Sequence, residues 1–190
     1  GRDDGDNEGE YSAIFYLKDK YNVVDSGTFW LSETPDEVSF GWDAVCKRIC
    51  TWVVLEDKVT GQKYAHLNSH FDHVGVEARR NSVELIINKA KEFEDIPVVF
   101  TADMNVRQDG ENYNQFVESG VLKDTKFIAP DTMDYCTYHD TRPTQHDGDI
   151  IDYVMINDKF DATVYKVVTE GIDGRYVSDH YPIYADLILK

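Results

Sequence analysis

The stretch Ile96-Pro97-Val98-Val99-Phe100-Thr101-Ala102-Asp103-Met104-Asn105 decides how this chain is read. Pro97 stops the segment before it and opens a run of apolar and strand-forming residues. With no polar interruption, that run suits a strand buried on both faces. It ends on two polar groups two positions apart. The twofold period of a strand sets Asp103 and Asn105 on one side and turns Met104 away. Polar side chains at the exit of a core strand are where layered folds place chemistry. The same pair also suits the opening of a turn, which Asp and Asn favour.

Outward from that strand, residues 77–91 predict an amphipathic helix, with Val83, Ile86, Ile87 and Ala90 at helical spacing. Residues 49–56 and 63–69 predict strands joined at Thr60-Gly61. The second carries Asn68 and His70 on one face, with Asp72 on the same alternation if the strand continues. Residues 1–10 are acidic and glycine-rich and predict a loop. Residues 11–18 and 21–25 predict a hairpin about Lys18-Asp19-Lys20, and 28–32 a short extended stretch. Residues 112–119 predict a helix closed by Gly120. Residues 150–156 form an apolar strand broken only by Asp152, and 165–169 and 182–189 complete the strands. The polar connection 123–149, holding Thr137-Tyr138-His139, has a length that goes with covering a site.

Strands outnumber helices, which favours sheets packed on each other with helices outside over a doubly wound sheet. No Gly-x-Gly-x-x-Gly or phosphate loop is present. The 190 residues fit one domain, 1–190. Thirty-six acidic residues against 19 Lys and Arg give a formal charge of −17, a field that repels long nucleic acids unless metal ions or a local basic patch offset it. Cys46, Cys50 and Cys136 lack zinc spacing and read as buried thiols. No segment reads as a membrane span or signal peptide. The chain opens on Gly1-Arg2-Asp3-Asp4-Gly5 rather than methionine, so the sequence predicts a processed or truncated piece, with the cytoplasmic and exported compartments both open.

Four polar clusters sit at or just before strand ends: Asn68/His70, Asp103/Asn105, Asp152 and Asp179/His180. A carboxylate inside an apolar strand costs several kcal/mol if unpaired, so Asp152 calls for a histidine or a metal, or else an edge facing solvent. Hydrolysis of a phosphate ester needs a divalent ion on hard oxygens, a base, an oxygen donor and an oriented histidine. The clusters supply those groups in number and kind.

The motifs His66-Leu67-Asn68-Ser69-His70-Phe71-Asp72-His73, Thr101-Ala102-Asp103-Met104-Asn105, Ile151-Asp152-Tyr153 and Ser178-Asp179-His180-Tyr181-Pro182 resemble the endonuclease/exonuclease/phosphatase superfamily, in that family's order. The opening pentapeptide, Phe29-Trp30-Leu31-Ser32-Glu33-Thr34-Pro35 and Gly41-Trp42-Asp43 narrow the likeness to a bacterial branch. The resemblance implies a four-layer α/β/β/α sandwich of two packed mixed sheets, using Mg²⁺ or Mn²⁺. It implies catalytic roles for His70, Asp103, Asn105, Asp152 and His180, with Asp152 orienting His180 and Asp103 activating the nucleophile. Asp179 is implied in the metal site, Asn68 in supporting the strand end, and Arg79 and His139 at the site's edge. The family's upstream metal-site asparagine and Gln-Glu pair have no counterpart here, and Glu8 and Glu10 sit in a loop.

The expectation is therefore a family member truncated at its N-terminus, binding metal weakly and self-associating through an uncovered sheet edge. The expected function is metal-dependent hydrolysis of a small phosphomonoester or phosphodiester rather than duplex DNA. The alternatives are a catalytically silent fragment, a metal-dependent nuclease and a sugar-binding β-sandwich.

Overall fold

The computed structural model describes residues 1–140 and 148–190; residues 141–147 of the long polar connection lie outside the described part. The elements run β1 (Tyr21–Trp30), β2 (Ile49–Asp57), β3 (Lys63–His70), α1 (Val76–Glu92), β4 (Val98–Asp103), α2 (Glu111–Ser119), β5 (Lys123–Asp124), α3 (Thr125–Ile128), β6 (Asp131–Thr132), β7 (Asp152–Ile156), β8 (Phe160–Val167) and β9 (Ile183–Leu189). They form a six-stranded sheet, β1-β2-β3-β4-β7-β5, and a three-stranded sheet, β6-β8-β9. Both are mixed: β3 runs parallel to β4 and β6 to β8, while the other pairs are antiparallel. The parallel β3–β4 pair requires a crossover, and α1 supplies it.

The strand that organises the sequence also divides the core. Val98, Phe100 and Ala102 face a cluster with Val83, Ile86, Ile87 and Ala90 of α1 and Phe116 of α2. Val99 points the other way, into a second cluster with Val154 and Ile156 of β7 and Phe160, Ala162 and Tyr165 of β8. A strand with a core on each side needs apolar residues at successive positions, which is why β4 lacks alternation. The result is an α/β sandwich of two mixed sheets. Among the described residues the long helices, α1 and α2, belong to the large sheet's side, and no second long helix covers the small sheet.

Helix α1 begins at Gly75, which has no side chain to cap it. Asp43 of the Gly41-Trp42-Asp43 turn does so instead, accepting from Ala78 N at 2.7 Å and Glu77 N at 3.2 Å. Helix α2 ends on Gly120 at φ 67°, the left-handed closure expected.

Three expectations are corrected. Residues 11–18 do not form a strand, so the hairpin is absent; Phe15 is 93% exposed and Leu17 accepts from Lys20 N in a turn. The segment crosses β3 instead, where Asn68 Nδ2 donates to Ala13 O. Its apolar residues are consecutive rather than alternating, so no register gives it one buried face. The stretches 21–25 and 28–32 join in β1, which pairs with β2 from Tyr21↔Asp57 to Trp30↔Ile49 through an irregularity at Val23/Asp25. Finally, β3 ends at His70, so Asp72 leaves the strand alternation and is buried in the following turn.

Candidate active site

Sheet register builds the site. His70 at the end of β3 is paired with Asp103 at the end of β4, and Asp103 with Asp152 at the start of β7. Three adjacent strands thus bring three polar groups into one lateral row. The loop after 177 adds His180, whose Nδ1 lies 2.8 Å from Asp152 Oδ2. Asp103 Oδ2 sits between both histidines, 3.2 Å from His70 Nε2 and 3.9 Å from His180 Nε2. Asp103 Oδ1 accepts from Asn105 N at 2.9 Å, and Asn105 Nδ2 donates to Phe71 O at 3.0 Å. That turn sets Asn105 at φ 49°, a left-handed conformation that asparagine tolerates better than most side chains.

On the far side of His70, its Nδ1 faces Glu10 Oε2 at 3.4 Å. The same carboxylate oxygen is 2.5 Å from Arg2 Nη1 and 3.6 Å from Arg48 Nη1. The sequence reading gave neither arginine a site role, and it set Glu10 aside as a loop residue. The loop is in fact ordered by Asp4, whose carboxylate accepts from the N–H groups of Asp6, Asn7 and Glu8.

The chain as a whole has solved relatives. A solved endonuclease/exonuclease/phosphatase from Bacteroides vulgatus is 44% identical over 100% of this chain and 74% of its own, with a TM-score of 0.94. The chain belongs to the endonuclease/exonuclease/phosphatase family. A mannosyl-6-phosphatase from Bacteroides thetaiotaomicron is 38% identical over 100% of this chain and 75% of its own, also at a TM-score of 0.94. The human Nocturnin catalytic domain, at 16% identity and a TM-score of 0.69 over 92% of this chain and 62% of its own, shares the fold alone. No family model and no curated protein sequence matches the chain. The expectation of a member truncated at its N-terminus gives way to a likeness that runs over 100% of this chain and 74–75% of the length of these two Bacteroides relatives. Against the catalytically silent reading stand the family match and the Asp103, Asp152 and His180 cluster, which support a hydrolase.

The activity of this endonuclease/exonuclease/phosphatase family member is metal-dependent hydrolysis of a phosphate ester. Ligand atoms of Asp103, Asp152 and His180 lie within 4.8 Å of one another, close enough for one ion. The donor set fits a hard divalent cation, since two of the three are carboxylates. Charge fits as well. Burial first, and then the neighbouring Asp152, push Asp103 up to about 6, a strain between like charges that a cation relieves. Burial would lower His180, but the hydrogen bond and charge of Asp152, with Asp103 behind it, raise it overall. Burial and the Arg48 charge pull His70 down to about 4, with Glu10 acting in the opposite sense.

A second cluster has similar geometry. Cys46, Asp72 and His73 also bring ligand atoms within 4.8 Å. Here, however, Asp72 already accepts from Val45, Cys46, Val74 and Gly75 N–H groups, and His73 Nδ1 lies 3.2 Å from Arg48 Nη2.

The remaining sequence candidates fall around the row. Asn68 is one step back along β3, linked through Thr101 Oγ1 to His66 by bonds of 2.9 Å each. Asp179 lies outside the Asp103 cluster, its side chain exposed and near Ser178 Oγ at 3.5 Å. Arg79 donates from Nη1 to Asp72 O at 2.9 Å, tying α1 to the turn after β3. His139 is buried against Tyr181, ring centroids 4.4 Å apart, and neither ring nitrogen has a hydrogen-bond partner. Tyr138, beside it in sequence, is the residue whose ring meets His180, at 5.0 Å.

Proposed function

We propose that this protein hydrolyses small phosphomonoesters of the sugar-phosphate kind, using Mg²⁺ or Mn²⁺. The observation that carries the reading is the convergence of His70 and His180 on one oxygen of Asp103. A phosphate bound there meets a base and two imidazoles at once. The name of the relative from Bacteroides thetaiotaomicron, a mannosyl-6-phosphatase, supports a sugar phosphate. So does the charge of −17, which opposes a polyanion more strongly than a small ester.

Each residue then has a task its surroundings permit. Asp103, raised to about 6, is ionised at neutral pH yet basic enough to accept a proton from the attacking water. Asp152 accepts from His180 Nδ1, which fixes the ring and leaves Nε2 facing the phosphate. The raised pKa of His180 favours the protonated ring, the form that can donate to a phosphoryl oxygen. Asn105 holds Asp103 in place through its backbone N–H. His70 contacts the phosphate or the leaving oxygen. Asp103 and Asp152 would hold a divalent ion, which would supply charge neutralisation at the phosphate.

The test is phosphate release from a panel of hexose 6-phosphates, a simple phosphodiester and duplex DNA, with Mg²⁺ or Mn²⁺ and with a chelator. We expect the hexose phosphates to turn over fastest, and Asp103→Asn and His180→Ala to abolish the signal. Cleavage of duplex DNA with no release from any monoester overturns the reading.

A further inference from the structure

Arg48 is a buried cation with unused donors. Its side chain is 5% exposed, and its Nε and Nη1 are sealed from solvent without a hydrogen-bond partner. Arg2, 14% exposed, has a buried and unpartnered Nε of its own. Leaving such donors unmade costs free energy, more so for charged groups. Arg48 Nε lies 3.8 Å from Asp72 Oδ2 and Nη2 3.2 Å from His73 Nδ1, while its Nη1 and the Arg2 guanidinium turn toward one acceptor, the Glu10 carboxylate. It reaches Arg2 at 2.5 Å but stops 3.6 Å short of Arg48, too far for a hydrogen bond. Glu10 itself is 60% exposed and one imidazole ring away from Asp103, across His70.

We propose that Arg2 and Arg48 form a second anion pocket beside the phosphate site, and that Glu10 fills it from within. The pocket has the chemistry that binds phosphate or carboxylate: planar guanidinium groups at a partly desolvated wall. Its resident carboxylate is held in position by the chain. Asp4 orders the loop, Trp30 Nε1 donates to Arg2 O at 2.8 Å, and Lys47 Nζ donates to Asp3 O at 2.7 Å. Glu10 therefore turns away a second anionic group by like-charge repulsion while leaving an acceptor for a sugar hydroxyl. This deepens the phosphomonoester reading and rests on it: Glu10 restricts the enzyme to esters bearing a single phosphate.

The experiment compares kcat/KM for a hexose 6-phosphate and a hexose 1,6-bisphosphate in the wild type, Glu10→Gln and Glu10→Gln/Arg2→Met. Because Glu10 also touches His70, absolute rates change and the ratio between the two substrates is the readout. Glu10→Gln should raise the bisphosphate-to-monophosphate ratio by about tenfold or more, and Arg2→Met should cancel that gain. Calorimetry of the bisphosphate in an Asp103→Asn background gives the same comparison without turnover, with tighter binding expected once Glu10 is neutral. An unchanged ratio and unchanged affinity in Glu10→Gln overturn the pocket. A wild type that hydrolyses no monoester overturns the functional reading instead, and the calorimetry still decides whether Glu10 guards an anion pocket.

Discussion

Asp103/Asp152/His180 and Cys46/Asp72/His73 both gather three ligand atoms within 4.8 Å, yet they do opposite jobs. Four backbone N–H groups and the Arg48 guanidinium, its Nε at 3.8 Å, use up the lone pairs and charge of Asp72. It is a clamp for the turns on either side. Asp103 and Asp152 face each other across a strand pair with one hydrogen-bonded histidine between two carboxylates, so negative charge is left over. Proximity of ligand atoms alone does not separate the two; what each oxygen already accepts does.

The contrast can be broken most sharply at Asp152. Asp152→Asn keeps the shape but removes the charge that holds His180 protonated and oriented. Single-turnover phosphate release should fall by about 10²–10⁴-fold with the thermal transition retained. Next comes the metal. A saturating divalent ion should stabilise the wild type, by about 2.7 kcal/mol at a hundred times its Kd. Asp103→Asn should lose that gain, whereas Cys46→Ser/His73→Gln should keep it, as read by thermal shift with and without chelator. Third, Asp72→Asn should cost about 2–4 kcal/mol in urea denaturation, because buried Arg48 loses a partner and charged acceptors become neutral. Activity per folded molecule should change far less.

The smallest effect is the pH dependence, where the two aspartates have opposite signs. Burial would raise Asp72, but the N–H groups of Gly75, Val74 and Cys46 and the Arg48 charge lower it overall. Its stabilising contribution is present above the ordinary 3.8 and is lost as pH falls through its folded value. Asp103, raised from 3.8 to about 6, binds its proton more tightly when folded, so its contribution is full below 3.8 and lost as pH rises through about 6. Asp103→Asn should therefore gain stability at pH 7 relative to pH 4, by about 1–2 kcal/mol in paired denaturation curves. In the metal-loaded wild type, kcat/KM should fall about tenfold per pH unit only below a lower value, because a bound cation relieves the repulsion that raises Asp103.

The central strands, both long helices and the identity of the row residues were legible because each carries a local signal. Asp152 inside an apolar run and Asp103 after one are conspicuous in any reading. What escaped was long-range geometry that neither a local pattern nor the family likeness marks. Glu10, Arg2 and Arg48 become neighbours only because an acidic loop folds back over the end of β2, and no periodicity marks that return. The segment 11–18 misled for the opposite reason: four consecutive apolar residues look like a strand, yet nothing in their spacing gives them a partner. Asp72 seemed to share a face with His70 only while the strand was assumed to continue.

The lateral row of His70, Asp103 and Asp152 carries a last consequence. Neighbouring strands are separated by a fixed hydrogen-bonding distance, roughly 4.7–4.9 Å, that no side-chain substitution can retune. These polar groups therefore sit like teeth on a comb whose pitch is set by peptide geometry. Inheritance can alter which ester the enzyme accepts only by editing the irregular segments around that comb, the opening loop first among them.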